Sequence, residues 1–366
     1  MQNVLADKCF ERLARPDMLT HELRKTHLRF PNRLRLILTV ALAGLVGILL
    51  PVSARSESSI GRPAPIINGI QYVSLQAWAS YNRMAFRAPR GGEKSAEVTA
   101  RWGRATFLLD SRSASINGVN IWLSHSVRED GGRILIAERD MRTVLQPILL
   151  PKPPAKPKKI RTITLDAGHG GKDPGFKLGA RSEKDYTLSL AHDLRDMLLA
   201  AGFRVIMTRT SDTYPELEDR PTIARRAGSD LFVSLHYNCA PDAPDANGVE
   251  VYCATPLGTS STNGGGPKQQ SEPSNRYDDQ SILLAYEAQK SIVRSLQLND
   301  RGVRRAGFIV LNKAPMPGIL IEGGFMSNRD DAKKIFDRGH RQQMARAIVD
   351  AILSYKRQAE RGLPPQ

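Results

Sequence analysis

The sequence is poor in cysteine, with three thiols among 366 residues. Cys9 lies near the N-terminus, whereas Cys239 and Cys253 follow two neighbouring strand-like runs. No CxxC pair occurs, so the chain lacks the ligand pattern of a cysteine-based zinc site. Export of the protein would permit a Cys239–Cys253 disulfide, and a pair of buried free thiols is the alternative.

The sequence also lacks the motifs of a nucleic-acid-binding protein, although its formal net charge is +16. No basic helix interleaved with aromatic residues and no helix-turn-helix or zinc-finger pattern is present. A positive surface suits an anionic cell envelope, through carboxylated wall peptides, acidic wall polymers or lipid head groups. We therefore expect no nucleic-acid partner, and a basic surface that is merely solvated is the alternative to an envelope partner.

An uncharged apolar run near the N-terminus, Leu36–Leu50, falls short of the roughly 20 residues that a membrane-spanning helix needs. An Arg/Lys-rich stretch from Arg24 to Arg35 precedes it, and the small residues Val52-Ser53-Ala54 follow. This order is typical of a secretory signal peptide. We predict that residues 1–55 are a cleaved signal peptide or, alternatively, an uncleaved N-terminal anchor. The protein would then be exported to the periplasm, the cell envelope or the extracellular space, and would touch a membrane only through an uncleaved leader.

Residues 62–150 have the pattern of a small α+β module. The strand-like runs Ala105–Leu109, Ser115–Leu123 and Gly132–Ile136 are punctuated by Asn-Gly, Asp-Gly and Gly-Gly turns. The repeated ING…V/I pattern resembles the copper amine oxidase N-terminal-like, or stalk, domains, here without a histidine cluster for copper. That resemblance implies a spacer, wall-binding or partner-binding module, and a purely structural extension is the alternative.

A Pro/Lys-rich stretch, 151–159, follows this module and is predicted to be an extended linker. From residue 160 to 358, apolar strand-like runs alternate with helical patterns. This alternation predicts an α/β fold, namely a three-layer α/β/α domain with a mostly parallel sheet.

Four ligand-type side chains lie at the ends of strand or helix patterns in this second half. The run Ile163–Leu165 leads into a glycine loop that contains His169, and Glu183 begins a helical pattern. His236 ends the strand-like run LFVSLH, and Glu322 ends GILIE. Each residue alone is most simply a polar group at the rim of a sheet. Together they match a His₂Glu zinc site with one open position and a free carboxylate as base.

Several motifs in this half resemble those of the zinc-dependent N-acetylmuramoyl-L-alanine amidases, cell-wall hydrolases with a GHGGxDPG signature. The matching segments, within residues 160–356, are LDAGHGGKDPG, SEKDYTLSLA, GFRVIMTRTSD, LFVSLHYNCA and ILIEGGFMSNRDD. The resemblance implies that His169, Glu183 and His236 are zinc ligands and that Glu322 is the catalytic carboxylate. No HExxH motif is present, so a typical zincin is disfavoured.

Four further polar residues are candidates for supporting roles. Asp166 and Asp173 would hold the histidine loop in place or would cap turns. Arg220 would position substrate or form a local salt bridge. Asn238 lies on the same strand face as His236 and would orient a ligand or cap the strand end.

The segment 255–280 is rich in Gly, Ser, Thr, Asn, Pro and Gln. We expect a mobile loop near the site, either a substrate lid or a disordered insertion. It lacks the apolar pattern of the blocking helix that some amidases of the family carry here.

The family resemblance implies zinc-dependent hydrolysis of the amide bond between the lactyl group of N-acetylmuramic acid and L-alanine in peptidoglycan. This reaction would serve cell-wall remodelling or daughter-cell separation. The alternative is a zinc-bearing peptidoglycan-binding or scaffold protein without turnover. The expected partners are peptidoglycan and, as a further candidate, an envelope activator protein; the protein itself is expected to be a monomer.

Overall fold

The computed structural model describes residues 65–151 and 159–361. The predicted leader, 1–55, and most of the predicted linker, 151–159, lie outside the described residues. Within the two described ranges, no helix combines the length and apolarity that crossing a bilayer requires.

Secondary structure elements are numbered here in chain order. The strands are β1 Ile66–Ile67, β2 Ile70–Ser74, β3 Ala85–Arg87, β4 Ser95–Ala100, β5 Gly103–Leu108, β6 Ser113–Ile116, β7 Val119–Trp122, β8 Arg128–Asp130, β9 Arg133–Ala137, β10 Thr162–Ala167, β11 Lys177–Leu178, β12 Arg181–Ser182, β13 Arg204–Met207, β14 Leu231–Asn238, β15 Val249–Ala254, β16 Ser260–Ser261, β17 Gly264–Pro267, β18 Asp300–Ala306 and β19 Gly318–Phe325. The helices are α1 Leu75–Tyr81, α2 Glu138–Asp140, α3 Gln146–Leu149, α4 Glu183–Ala200, α5 Asp219–Arg226, α6 Asp278–Leu296, α7 Ile309–Asn312, α8 Arg329–Phe336 and α9 Arg338–Arg361. A π-helical turn, Met141–Leu145, joins α2 to α3, and a 3-10 turn, Pro273–Tyr277, precedes α6.

The second half of the chain forms a mostly parallel sheet in the order β13-β10-β14-β19-β15-β18. Only the β15–β19 pair in this series is antiparallel. Every residue of β10, β14 and β19 is buried, as expected for strands covered on both faces. Side chains of α4, α6 and α9 pack on one face, and those of α5 and α7 pack on the other. The predicted three-layer α/β/α arrangement is therefore confirmed.

The sheet does not end at β18, because β7 of the first segment pairs with it in parallel. The antiparallel strands β7-β6-β5-β4-β3 continue from there, giving one sheet of eleven strands. A separate four-stranded sheet, β1-β2-β9-β8, completes the first segment. The division of the chain at 151–159 stays a prediction, but the segments on either side of it share a sheet and one hydrophobic core cluster.

The β7–β18 junction, which we call the seam, depends on one glycine. Val303 lies opposite Ile121, and the Trp122 Nε1 group donates to the carbonyl oxygen of Arg301 at 2.9 Å. Gly302 has a φ of 92°, and a Cβ built on it would lie 2.9 Å from the carbonyl oxygen of Asn120. Only glycine adopts this conformation readily and permits so close an approach. The seam is therefore sensitive to substitution at Gly302.

A buried polar cluster fastens the two segments at a second place. The Asp140 carboxylate accepts hydrogen bonds from the backbone N–H groups of Ser124 and His125, both at 2.9 Å. Arg305 of β18 lies 3.7 Å from that carboxylate and donates to the carbonyl oxygen of Thr143 at 2.6 Å. Asp140 and Arg305 are fully buried, so each depends on these contacts to offset the loss of water.

Two expectations about the second half need correction. The segment 255–280 contains the β16–β17 hairpin and the 3-10 turn, so it is not a structureless insertion; the lid alternative stays a prediction. Its hydroxyl groups at Ser261 and Thr262 donate to the carbonyl oxygen of Arg305, at the end of β18.

Cys253 is a buried free thiol, so the Cys239–Cys253 disulfide is not formed.

Candidate metal centre

The carboxyl ends of the central parallel strands bring the four predicted site residues together. His169 follows β10, His236 lies on β14, and Glu322 lies opposite it on β19. Glu183 is the first residue of α4 and enters the same edge of the sheet. Strands buried on both faces expose functional groups mainly at their ends, which is where open α/β sheets place ligands.

Glu183 lies between the two histidines. Its Oε1 atom is 2.9 Å from Nε2 of His169 and 3.2 Å from Nδ1 of His236. One ligand atom from each of the three residues lies within 4.8 Å of the others. Two imidazole nitrogens and a carboxylate oxygen that converge on one point are a donor set that suits Zn²⁺. The residues present therefore fit the metal that the sequence predicts.

The charge of Glu183 dominates the electrostatics of this cluster. Burial alone would lower the pKa of His169, but Glu183 and Asp173 raise it to about 10. The two histidines in turn hold the pKa of the Glu183 carboxyl below its ordinary value, against the effect of burial. Burial lowers the pKa of His236. A negative charge buried between two nitrogen donors attracts a cation to this point.

Glycine at position 168 lets the histidines approach each other. A Cβ built on Gly168 would lie 2.3 Å from the ring of His236, so no other residue fits there. His169 itself has a φ of 60°, in the left-handed region that few non-glycine residues adopt. The loop is therefore shaped to aim the His169 ring at Glu183, and it needs support from its surroundings.

Asp173 and two buried arginines supply that support. The Asp173 carboxylate lies 2.7 Å from Nδ1 of His169, which leaves Nε2 facing Glu183. Arg220 donates to the carbonyl oxygens of Ala167 and His169, and Arg209 donates to those of Ala167 and Gly168, all at 2.8 to 3.0 Å. Sequence reasoning did not single out Arg209, although it directly follows the strand segment FRVIMT.

Asp166 lies beneath this loop and does not contact the histidine rings. Its carboxylate pairs with Arg220 at 2.9 Å and accepts hydrogen bonds from Thr208 and Ser234, both at 2.7 Å. Asp166 and Arg220 are completely buried. Arg220 therefore forms a local salt bridge, with Asp166. The same guanidinium also donates hydrogen bonds to the carbonyl groups of the histidine loop.

Glu322 is buried beside the three ligand-type residues, with only 3% of its surface exposed. Its Oε2 atom has no hydrogen-bond partner among the described residues. Burial, together with the carboxylates of Glu183 and Glu250, raises the pKa of Glu322 well above its ordinary value. A buried carboxylate oxygen without a partner is costly, so it indicates a group kept ready to exchange a proton.

Sequence reasoning missed Glu250, which lies directly opposite Glu322 on β15. Asn238 donates to its carboxylate at 2.5 Å, and Arg304 and Arg301 form ion pairs with it at 2.5 and 3.6 Å. Asn238 does lie on the His236 face, as predicted, but its side chain holds Glu250. A single charge inside the apolar run Val249–Ala254 was the available signal.

A family model described as N-acetylmuramoyl-L-alanine amidase matches residues 163–354. The uncharacterized protein YqiI of Bacillus subtilis (strain 168) is 34% identical over 201 residues, which are 55% of this chain and 87% of YqiI. The probable cell wall amidase LytH of Staphylococcus aureus is 35% identical over 202 residues, and the match spans 54% of this chain but only 60% of LytH.

The solved structures to which this chain is similar match about half of its length. An N-acetylmuramoyl-L-alanine amidase from Clostridium difficile 630 is 32% identical and has a TM-score of 0.46; the match covers 54% of this chain and 97% of that one. The amidase AmiC2 of Nostoc punctiforme is 34% identical with a TM-score of 0.46, covering 53% of this chain and 96% of that one. The family match begins at residue 163, so β1 to β9 lie outside it.

Proposed function

The chain belongs to the N-acetylmuramoyl-L-alanine amidase family, and we propose that it hydrolyses the amide bond between the lactyl group of N-acetylmuramic acid and L-alanine in peptidoglycan. The observation that carries the proposal is the convergence of His169, Glu183 and His236 beside Glu322, whose Oε2 atom has no partner among the described residues. We place the reaction in the cell envelope or outside the cell, in wall remodelling or daughter-cell separation.

His169, Glu183 and His236 would hold Zn²⁺. When bound there, the ion would acidify a water molecule and polarise the scissile carbonyl group. The chain's part is to fix these three donors: Asp173 orients the His169 ring through Nδ1, and Arg220 and Arg209 hold the loop backbone. Ligand orientation by such outer contacts commonly matters for metal affinity.

Glu322 would act as the general base and then as the general acid. Its unpartnered Oε2 atom is free to take a proton from the attacking water and to deliver it to the leaving amine of L-alanine. Its raised pKa favours the uptake of that proton. Glu250 is the neighbouring carboxylate, and its ion pairs with Arg304 and Arg301 leave Glu322 as the carboxylate able to move a proton.

Product analysis tests the proposal directly. The zinc-loaded protein would be incubated with purified peptidoglycan and the soluble products weighed by mass spectrometry. We expect stem peptides with an L-alanine amino terminus, together with glycan that has lost its peptides. Products cut within the peptide or between sugars would contradict the assignment of the bond.

Replacing the proposed base separates catalysis from binding. Glu322→Gln should lower kcat by about 10²- to 10⁴-fold, the usual contribution of a general base, while zinc stays bound. The matched control is Glu216→Gln, because Glu216 is an exposed carboxylate paired with Lys172. Unchanged turnover in Glu322→Gln would remove this residue from the mechanism, and absence of turnover in the unmodified, zinc-loaded protein would favour a wall-binding protein instead.

A further inference from the structure

The first segment presents an open sheet face. Along β4 to β7, fully buried residues alternate with half-exposed or exposed ones. The buried set, which includes Phe107, Ile116 and Ile121, belongs to the same core cluster as Tyr286 of α6. The opposite set faces away from α6, and we call it the polar face. Its members, followed strand by strand, are Ser95, Glu97, Thr99, Arg104, Thr106, Leu108, Ser113, Ser115, Asn120 and Trp122.

Strand register places the polar face on the same side of the sheet as the candidate metal centre. Paired residues of neighbouring strands share a face. From the site outward, Glu322 pairs with Glu250 of β15. Tyr252 lies two residues further along β15, hence on the same face, and it pairs with Arg304 of β18. Ile121 pairs with Val303 on the core side, so its neighbour Trp122 lies on the side of Arg304. The pairing then continues through β6 and β5.

Direct contacts connect the polar face to the site across the seam. The guanidinium carbon of Arg304 lies 4.8 Å from the centre of the Trp122 ring. The same Arg304 pairs with Glu250, which lies opposite Glu322. No gap in the sheet separates the two regions, so an extended molecule held at the site could continue along β7, β6 and β5.

We propose that the polar face binds the glycan chain of peptidoglycan on either side of the bond being cut, as an extension of the catalytic site. The inference rests on the proposed function for the nature of the polymer. Hydroxyl and amide side chains suit the hydroxyl and acetamido groups of amino sugars, and an indole ring suits the apolar face of a pyranose.

The charge of the face favours a neutral glycan over an anionic polymer. Six of its ten members are uncharged hydroxyl or amide residues, namely Ser95, Thr99, Thr106, Ser113, Ser115 and Asn120. The one cation on the face and the cation beside it are already paired, since Arg104 lies 3.5 Å from Glu97 and Arg304 lies against Glu250. An anionic partner would require unpaired cations on this surface.

Charged substitutions at Ser115 test the proposal. Ser115 lies four strand spacings from β19, roughly 19 Å at about 4.8 Å per spacing, so it is remote from the reacting bond. In the full chain, Ser115→Glu and Ser115→Lys should each raise KM for polymeric peptidoglycan about fivefold, as expected for a lost hydrogen bond and an obstructed face. Values of kcat, and all constants for a single N-acetylmuramoyl-peptide, should not change.

A second measurement does not depend on turnover. The inert Glu322→Gln protein should sediment with insoluble peptidoglycan, and adding either Ser115 substitution should weaken that binding about fivefold. Ser354→Glu, a half-buried serine on α9 at the other side of the sheet, is the matched control and should bind normally. Urea unfolding midpoints would establish that all variants are folded.

The possible outcomes are distinct. Weaker binding of both Ser115 variants to the polymer, with the short substrate unaffected, supports the proposal. Equal effects on both substrates, or none, would overturn it, and tighter binding of Ser115→Lys alone would identify an anionic polymer instead. If the unmodified protein cleaves neither substrate, the proposed function fails, while sedimentation still decides whether the polar face binds glycan.

Discussion

The two regions that share the eleven-stranded sheet are built on opposite patterns. β10, β14 and β19 are buried along their whole length, whereas β4 to β7 are buried on one face only. A strand covered on both faces can present chemistry only at its end, so the reactive groups crowd at one edge. A strand with an open face can present side chains along its length, which suits an extended partner.

The regions also differ in how they use buried polar groups. In the second half, Asp166, Arg220 and Arg209 form a buried network under the candidate metal centre. In the first segment, the chief buried carboxylate is Asp140, which serves the join to Arg305. The first network positions a reactive loop, and the second holds two segments of chain together.

The largest effect that would sharpen this comparison is expected from removing a proposed metal ligand. His236→Ala should abolish zinc binding and turnover, because the remaining donors, His169 and Glu183, cannot complete the site. Zinc content would be measured by elemental analysis beside peptidoglycan hydrolysis. His192→Ala on α4 is the control, since His192 lies 3.0 Å from Arg195 and outside the cluster. Retention of one zinc per chain in His236→Ala would contradict the ligand assignment.

A second large effect is expected on stability. Asp166→Asn should lower the free energy of unfolding by about 3–5 kcal/mol, because it leaves the buried Arg220 guanidinium without its counter-charge. Adding Arg220→Met should recover part of the loss. The exposed Lys172–Glu216 pair is the control, and Glu216→Gln should change stability by at most about 1 kcal/mol. A small effect of Asp166→Asn in urea unfolding would show that the network is not needed for the fold.

The Asp166 carboxylate also makes the free energy of unfolding depend on pH, with a definite sign. Burial would raise the pKa of Asp166, but Arg220 and the hydroxyl groups of Ser234 and Thr208 lower it below its ordinary value. The unfolded chain then binds the proton more tightly, so the stabilisation is complete above about pH 4 and is lost as the pH falls through the folded pKa. Asp166→Asn should lose this part of the acid-side decline.

Sequence reasoning anticipated which side chains meet at the strand ends, while their roles stay predictions. His169, Glu183, His236 and Glu322 each follow or begin a clear periodic segment, and parallel strands must bring such ends together. The three-layer arrangement followed from the same alternation. These features are local in sequence, even though the residues are distant from one another.

Sequence reasoning failed where contacts join distant and unremarkable residues. The seam links Asn120 to Asp300, which are 180 positions apart, and no motif marks either residue. Glu250 was missed because its partners, Arg304 and Asn238, come from two other strands. The 255–280 segment was misjudged from composition, since its hairpin is held by the backbone of Arg305. Strand pairing of this kind depends on the whole sheet.

A substitution at the seam, which joins the two regions, is expected to have an intermediate effect on stability. Gly302→Val should lower the free energy of unfolding by about 1–3 kcal/mol, because Gly302 has a positive φ and its Cβ would meet the Asn120 carbonyl. Gly307→Val is the matched control, since Gly307 follows the same strand and a Cβ there meets only Asn312 at 3.7 Å. Calorimetry would measure both variants. Equal stability of the two would show that the seam contributes little, and the regions would then unfold as separate units.

The smallest expected effect on stability concerns Asp278, the first residue of α6. This helix contacts the first segment, because the Tyr286 hydroxyl accepts a hydrogen bond from Asn117. Burial raises the pKa of Asp278 to about 6, although Asn275 and Arg305 partly oppose it. The folded chain therefore binds the proton more tightly, and stability falls as the pH rises from about 4 to 6. Asp278→Asn removes the penalty of burying the charged carboxylate and should stabilise the protein by about 1 kcal/mol at pH 8, with no difference at pH 4. This is less than the roughly 3 kcal/mol that the full pKa shift corresponds to, because the negative charge also favours the N-terminus of α6.

Urea unfolding at these two pH values would measure the difference. Asp330→Asn is the control of opposite sign, because Lys333 lowers the pKa of that exposed carboxylate. If the Asp278→Asn variant is less stable than the unmodified protein at pH 8, the negative charge at the start of α6 helps to hold the helix across the seam. The join between the two regions would then depend on a helix terminus as well as on strand pairing, and it would weaken in acid rather than in base.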